Sequence, residues 1–95
     1  MYLGIYDFEG DPDELLAGYD RMLASFPGSM IIFHACAVRD GGITIYDACP
    51  TQEAFERFST GEGFEQALAA AGLPRPSIEG RPLHAALGPG GAPIS

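Results

Sequence analysis

The sequence predicts an α+β domain of β-α-β-β-α-β order, and three observations carry that prediction. A short aromatic and aliphatic run at the start is followed at once by a capped helical pattern. A central stretch reads as a β-hairpin. A second helical pattern then leads through a Pro-rich linker to a last extended segment.

Tyr2 to Phe8 is bounded by Glu9-Gly10-Asp11-Pro12 and reads as the first strand. Asp11 suits the N-cap of the following helix, Pro12 its first position, and Glu14 stands three residues after the cap. Leu15, Leu16, Tyr19, Leu23 and Phe26 then recur at helical spacing until Pro27-Gly28. Ser29 to Val38 is almost wholly apolar, Arg39-Asp40-Gly41-Gly42 signals a turn, and Gly42 to Cys49 resumes a strand rich in Ile, Thr and Tyr. Thr51 caps a second helix, which Gly61 and Gly63 interrupt before it runs to Gly72, so it is kinked or split. Ser77 to Leu87 forms the last strand, where Pro82 requires an edge position or a bulge. Residues 1–87 make one domain, and the Gly/Pro-rich residues 88–95 are expected to be a flexible tail.

The 95 residues carry 5 basic and 13 acidic side chains, a net charge of −8. The basic residues are all Arg and none are clustered, so nucleic acid and anionic membranes are not expected partners. No run reaches the roughly 18 apolar residues of a membrane span, and no secretory leader precedes the first strand, which predicts a cytoplasmic protein. Cys36 and Cys49 make no disulfide framework. Gly61-Glu62-Gly63 interrupts a helix and has acidic neighbours, so it is no phosphate loop, and no cofactor is indicated.

Right-handed crossovers put both helical segments on one face of a four-stranded antiparallel sheet and leave the other face bare. With Asp40-Gly41 as a two-residue turn, Val38 faces Ile43, Cys36 faces Ile45, His34 faces Asp47 and Ile32 faces Cys49. These eight side chains share one face. The small residues Ala35 and Ala37, alongside Ile31 and Phe33 and opposite Thr44, Tyr46 and Ala48, suggest that the helices lie on the other. The face of Ile32, Val38, Ile43 and Ile45 is then the bare one, and a homodimer packed sheet to sheet is expected to cover it.

On that apolar face His34 and Asp47 are the informative pair. A carboxylate that accepts from one imidazole nitrogen fixes the tautomer and raises the basicity of the other, as a general base requires; the alternative is a satisfied bridge that only orders the hairpin. Cys36 and Cys49 stand about 13 Å apart along the strands, too far to bond each other, and either reads as a small hydrophobe, with an activated thiol as the alternative for Cys49 beside His34. A metal site from His34, Asp47 and a thiol matches no standard zinc spacing. His84 on the last strand and Tyr6 on the first are candidates to position a ligand, with Tyr6 equally readable as a seam residue and Leu3 and Ile5 assigned to the helix side.

The segment Gly42-Ile43-Thr44-Ile45-Tyr46-Asp47-Ala48-Cys49-Pro50-Thr51-Gln52-Glu53-Ala54-Phe55-Glu56-Arg57-Phe58, with Leu83-His84 after Ala71-Gly72-Leu73-Pro74, resembles the dimeric α+β barrel superfamily. Within it the chain is similar to the antibiotic-biosynthesis-monooxygenase-like proteins of ferredoxin-like fold. The resemblance implies a homodimer with a pocket for a hydrophobic small molecule, used by cofactor-free oxygenases, isomerases and proteins without known activity. Where oxidising members often carry a Trp at the end of the third strand, this chain has Cys49, and it contains neither Trp nor Asn. Residues 51–72 also contain no His, which argues against haem degradation. The expectation is a small cofactor-independent enzyme of monooxygenase, isomerase or cyclase type acting on an aromatic or polyketide-like molecule. His34 and Asp47 would act as base and orienter, Tyr6 or His84 would position the substrate, and Ile32, Cys36, Val38, Ile43, Ile45 and Cys49 would line the pocket. The alternative is a non-catalytic homodimer that binds a small ligand or only assembles.

Overall fold

The computed structural model describes residues 1–25 and 32–94. The elements follow in the order β1 (Tyr2–Glu9), α1 (Pro12–Ala24), β2 (Phe33–Arg39), β3 (Gly42–Cys49), α2 (Gln52–Ser59), α3 (Glu62–Ala71) and β4 (Ser77–Pro82). The strands form one antiparallel sheet of order β2-β3-β1-β4, the ferredoxin-like arrangement in which both crossovers lie on one side.

The local signals act as expected. Asp11 Oδ2 accepts from the Glu14 amide at 3.0 Å, and Thr51 Oγ1 accepts from the Ala54 amide at 3.1 Å. The second helical pattern is split: α2 closes at Thr60, Gly61 caps α3, and Gly72 ends α3 with a left-handed φ of 73° that glycine adopts without strain. The expected helical position of Phe26, the stop at Pro27-Gly28, the strand start at Ser29 and the face of Ile31 lie outside the described residues. The hairpin register is the expected one, with His34 opposite Asp47, Cys36 opposite Ile45 and Val38 opposite Ile43. β4 ends at Pro82 rather than Leu87: Pro82 pairs with Tyr2 on the sheet edge, the Leu83 amide still donates to Met1 O at 3.0 Å, and the partner strand β1 extends no further. Beyond it, Leu87 bridges Pro93 around a short turn, with the Gly88 amide donating to Ala92 O at 2.6 Å and the Ile94 amide to Ala86 O at 2.9 Å.

One expectation is reversed. The helices cover the face that carries Tyr6, Phe8, Ile43, Ile45, Asp47 and Cys49, all of them buried, and the bare face carries Leu3, Ile5, Phe33, Ala35, Thr44 and Tyr46. Close approach of a helix is made possible by glycines, not by Ala35 and Ala37. Gly4 and Gly80 are paired across β1 and β4, and the Phe55 ring of α2 lies over both. A Cβ at Gly80 would stand 2.6 Å from Phe55 Cε2, and one at Gly4 2.9 Å from Phe55 Cδ1. Large side chains on the helix side then fill the space above these glycines, so Tyr6 and Phe8 belong to the helix side, while Leu3 and Ile5, expected there, face away.

The core is aromatic at its centre. The Tyr6 ring meets Phe55, Phe58 and Phe64 at centroid distances of 6.3, 6.1 and 5.5 Å, edge-on or tilted, contacts worth about 0.5–1.5 kcal/mol each beyond burial. From α1, Leu15, Tyr19 and Met22 descend onto the sheet at helical spacing. Gly18 lets α1 close on Leu73, and the Arg21 guanidinium donates to Ala71 O from Nε at 3.1 Å and Nη2 at 2.8 Å, tying α1 to the C-terminus of α3.

Candidate functional site

The helices and the sheet enclose a hollow between α1, the α2–α3 pair and strands β1 to β3. It is lined by Tyr6, Phe8, Met22, Leu23, His34, Ile45, Asp47, Phe58 and Phe64. The hollow is a narrow cavity of about 30 Å³ that opens outward to solvent. That inner room holds about two waters. Its lining residues are apolar apart from His34, Asp47 and Tyr6.

The strand pairing explains why His34 and Asp47 meet. They are directly opposite on β2 and β3, so their side chains leave the same face side by side, and His34 Nδ1 bonds Asp47 Oδ1. A carboxylate only accepts, so with Asp47 ionised the proton of the imidazole sits on Nδ1. Asp47 is only 6% exposed, and burial pushes its carboxyl above the usual range while the bond from His34 pulls it back.

The other ring nitrogen is also occupied. The Tyr19 hydroxyl stands 2.6 Å from His34 Nε2, and the two rings run nearly parallel, 11° apart with centroids at 5.7 Å. Nε2 carries the lone pair of this tautomer, so the hydroxyl donates to it. Tyr19 comes from α1 one turn before Met22 and Leu23. Burial keeps its phenol above the ordinary range, reinforced by Cys36, Asp47 and Asp20.

Tyr6 is the third polar feature. Its ring is locked among phenylalanines, it is 2% exposed, and among the described residues its hydroxyl is the one buried side-chain polar atom without a hydrogen-bond partner. Burial, then Asp47 and Cys49, raise its ionisation well above the ordinary range, so it remains a donor.

The remaining sequence candidates are dispersed. Ile45 lines the hollow, while Ile43 and Cys49 are buried in the surrounding core. Cys36 is half-buried, Ile32 is half-buried just before β2, and Val38 is 60% exposed near the hairpin turn. Burial raises both thiols, which keeps them protonated. His84 lies past the end of β4, is exposed, and is not part of the hollow's wall. Among the described residues no three His, Cys, Asp or Glu side chains are grouped to hold a metal ion.

Sequence reasoning passed over Tyr19, Met22, Phe58 and Phe64 as site residues. The signal for Tyr19 was a hydroxyl on the apolar stripe of a helix; the direction in which it points depends on the helix being laid on the sheet.

The fold and site define a single-sheet ferredoxin-like domain with a helix-covered hollow and a bare opposite face. Solved structures with this fold include an antibiotic biosynthesis monooxygenase, so described provisionally, from Chloroflexus aurantiacus J-10-fl. It is 17% identical, with a TM-score of 0.62 over 94% of this chain and 98% of that one. A protein of the same provisional description from Deinococcus radiodurans is 11% identical, with a TM-score of 0.64 over 93% and 97%. SnoaB, a cofactor-independent oxygenase from Streptomyces nogalater, seen in an asparagine-to-alanine variant, is 16% identical, with a TM-score of 0.61 over 90% and 93%. The chain therefore has the fold of the antibiotic-biosynthesis-monooxygenase-like proteins, as its sequence resemblance implied. No family model and no curated protein matches its sequence. No helix among the described residues is long and apolar enough to cross a membrane.

Proposed function

We propose that the chain is a small cofactor-independent enzyme that removes a proton from a hydrophobic aromatic or polyketide-like carbon acid. The observation that carries this reading is a hydrogen-bonded His34–Asp47 pair in the wall of an otherwise apolar hollow that Tyr6 also lines, its buried hydroxyl without a hydrogen-bond partner. The histidine unit takes the proton, and Asp47 offsets the positive charge it acquires. The Tyr6 hydroxyl donates to the substrate oxygen on which negative charge develops.

The fate of the resulting enolate divides the reaction types. Reprotonation elsewhere is isomerisation and attack on an internal carbonyl is cyclisation. Oxygenation by dioxygen turns a ring CH2 into C=O with release of one water, all four electrons for O2 coming from the substrate carbon. The fold likeness to a cofactor-independent oxygenase favours the last.

The protein's state in this reading is a homodimer packed through the bare face of Leu3, Ile5, Phe33 and Tyr46, with the hollow on the far side of the sheet. The alternative, a non-catalytic homodimer that binds a small ligand or only assembles, draws on the narrowness of the inner room, about 30 Å³.

Deuterium exchange at the acidic carbon of a panel of anthrones and 1,3-diketones, followed by NMR, tests proton removal whatever step comes next. Oxygen uptake with the anthrones tests oxygenation. Wild type accelerates exchange over buffer, His34→Ala loses the acceleration, and Tyr6→Phe is slowed by a factor of about 100. A wild-type protein that accelerates none of the panel gives way to the binding or assembly reading.

A further inference from the structure

A neutral imidazole offers one N–H and one in-plane lone pair, and in His34 both are taken. Nδ1 is held by Asp47, and Nε2 has the Tyr19 oxygen at 2.6 Å. A proton entering His34 therefore finds no vacant nitrogen. We propose that protons reach and leave His34 through the Tyr19 hydroxyl, so that the base of the site is the chain Tyr19–His34–Asp47 and not the imidazole alone.

The transfer balances without a free anion on the protein. The ligand's acidic proton bonds to the Tyr19 oxygen, directly or through one water of the hollow, as the Tyr19 O–H bond breaks and its proton bonds to Nε2. The electron pair of the broken ligand bond stays on the ligand, and the imidazolium faces the Asp47 carboxylate. The reverse sequence returns the proton. Tyr19 suits this role because its phenol is held neutral by burial and by the neighbouring Cys36, Asp47 and Asp20. Tyr19 does not itself line the hollow; its hydroxyl joins the site through His34, which does.

The catalytic part of this proposal rests on the function proposed above, but its test does not need a substrate. Tyr19→Phe keeps the ring in the core and deletes only the oxygen. In protein with 15N-labelled histidine, the Nε2 chemical shift of His34 reports the hydrogen bond, and relaxation dispersion reports how fast the imidazole exchanges its proton with solvent. Tyr19→Phe should move the Nε2 shift toward that of a free acceptor nitrogen and slow proton exchange about tenfold or more, the scale of a lost proton-transfer partner. An unmoved shift, or exchange as fast or faster than in wild type, overturns the proposal, since Nε2 then takes its proton from water without the phenol. With an active carbon acid the relay expects Tyr19→Phe to fail as His34→Ala does. Loss in His34→Ala with activity kept in Tyr19→Phe ends the relay and leaves the function standing. A wild type inactive on the whole panel removes the function while the exchange measurement still decides the relay.

Discussion

His34 and Asp47 face each other across the β2–β3 ladder and are bonded on the sheet face that the helices cover, so the carboxylate leaves water only in company with its partner. His34→Ala should therefore cost about 1–3 kcal/mol at neutral pH, as a buried acceptor loses its donor. The pH dependence has a fixed sign. Burial already raises the Asp47 carboxyl above 3.8, opposed by the His34 bond, and removing that bond raises it further. A raised carboxyl is no burden below its unfolded value and becomes one as pH rises through the folded value. Urea unfolding should then show a larger deficit at pH 7 than at pH 3. An equal deficit at both would mean that Asp47 is not the group left unpaired. Replacing both residues by Leu should recover most of the loss.

At Gly80 the Phe55 ring of α2 rests directly on the sheet. Gly80→Ala places a methyl 2.6 Å from both Phe55 Cε2 and Tyr2 Cε2, and overpacking of this kind costs about 1–3 kcal/mol. For a chain of this size that lowers the thermal midpoint by about 4–8 °C per kcal/mol. Adding Phe55→Leu should return part of it, because Leu can turn away from the new methyl. A Gly80→Ala protein as stable as wild type would show that Phe55 does not rest on the glycine pair.

The parts of the fold that were legible in the sequence are those set by neighbours along the chain. The Asp11 and Thr51 caps, the two-residue turn at Asp40-Gly41 and the break at Gly61 are short-range features, and together they placed α1, α2, α3 and the β2–β3 hairpin with its His34–Asp47 register. The choice of sheet face is a long-range property. Both faces of the hairpin are apolar, so periodicity could not separate them, and the deciding pair, Gly4 and Gly80, is 76 residues apart in sequence (80 − 4) and adjacent only once β1 and β4 align. The site shared this fate: its strand half, His34 and Asp47, came from register, while its helix half, Tyr19 above all, required the crossover to be laid down.

On the bare face, Asp7 accepts from Arg39 Nε at 3.0 Å, from Arg39 Nη2 at 2.8 Å and from Thr44 Oγ1 at 2.7 Å, and the Arg39 bonds lead in holding its carboxyl below the usual value of 3.8. A lowered carboxyl contributes stability above its unfolded value and loses it as pH falls through the folded one. Asp7→Asn should thus lower the melting midpoint slightly at pH 7, and the difference from wild type should close below the usual carboxylate range. Both partners are well exposed, so added salt should shrink the effect. A difference that persists at pH 2 would point to packing of Thr44 rather than to charge.

Ile5 and Tyr46 are cross-strand partners at the centre of the same face, with Leu3 paired to Ala48 beside them and Phe33 paired to Ala48 from the other strand. The helices and the hollow are on the opposite side, so covering this face with a second copy and doing chemistry at His34 are separable. Ile5→Lys puts an ammonium group where two sheets would meet, and an unpaired charge at a desolvated contact is strongly disfavoured. In sedimentation equilibrium wild type should have the mass of two chains and Ile5→Lys that of one. The His34 imidazole signals should be unchanged, because the lysine points away from the hollow. A wild type that sediments as a single chain would remove the dimer from the proposed function without touching the site. A dimer that survives Ile5→Lys would place the contact elsewhere on the surface. Monomerisation that also shifts the His34 resonances would mean that the partner's sheet helps to hold β2 against β3, and that the two faces are coupled through the strand carrying His34.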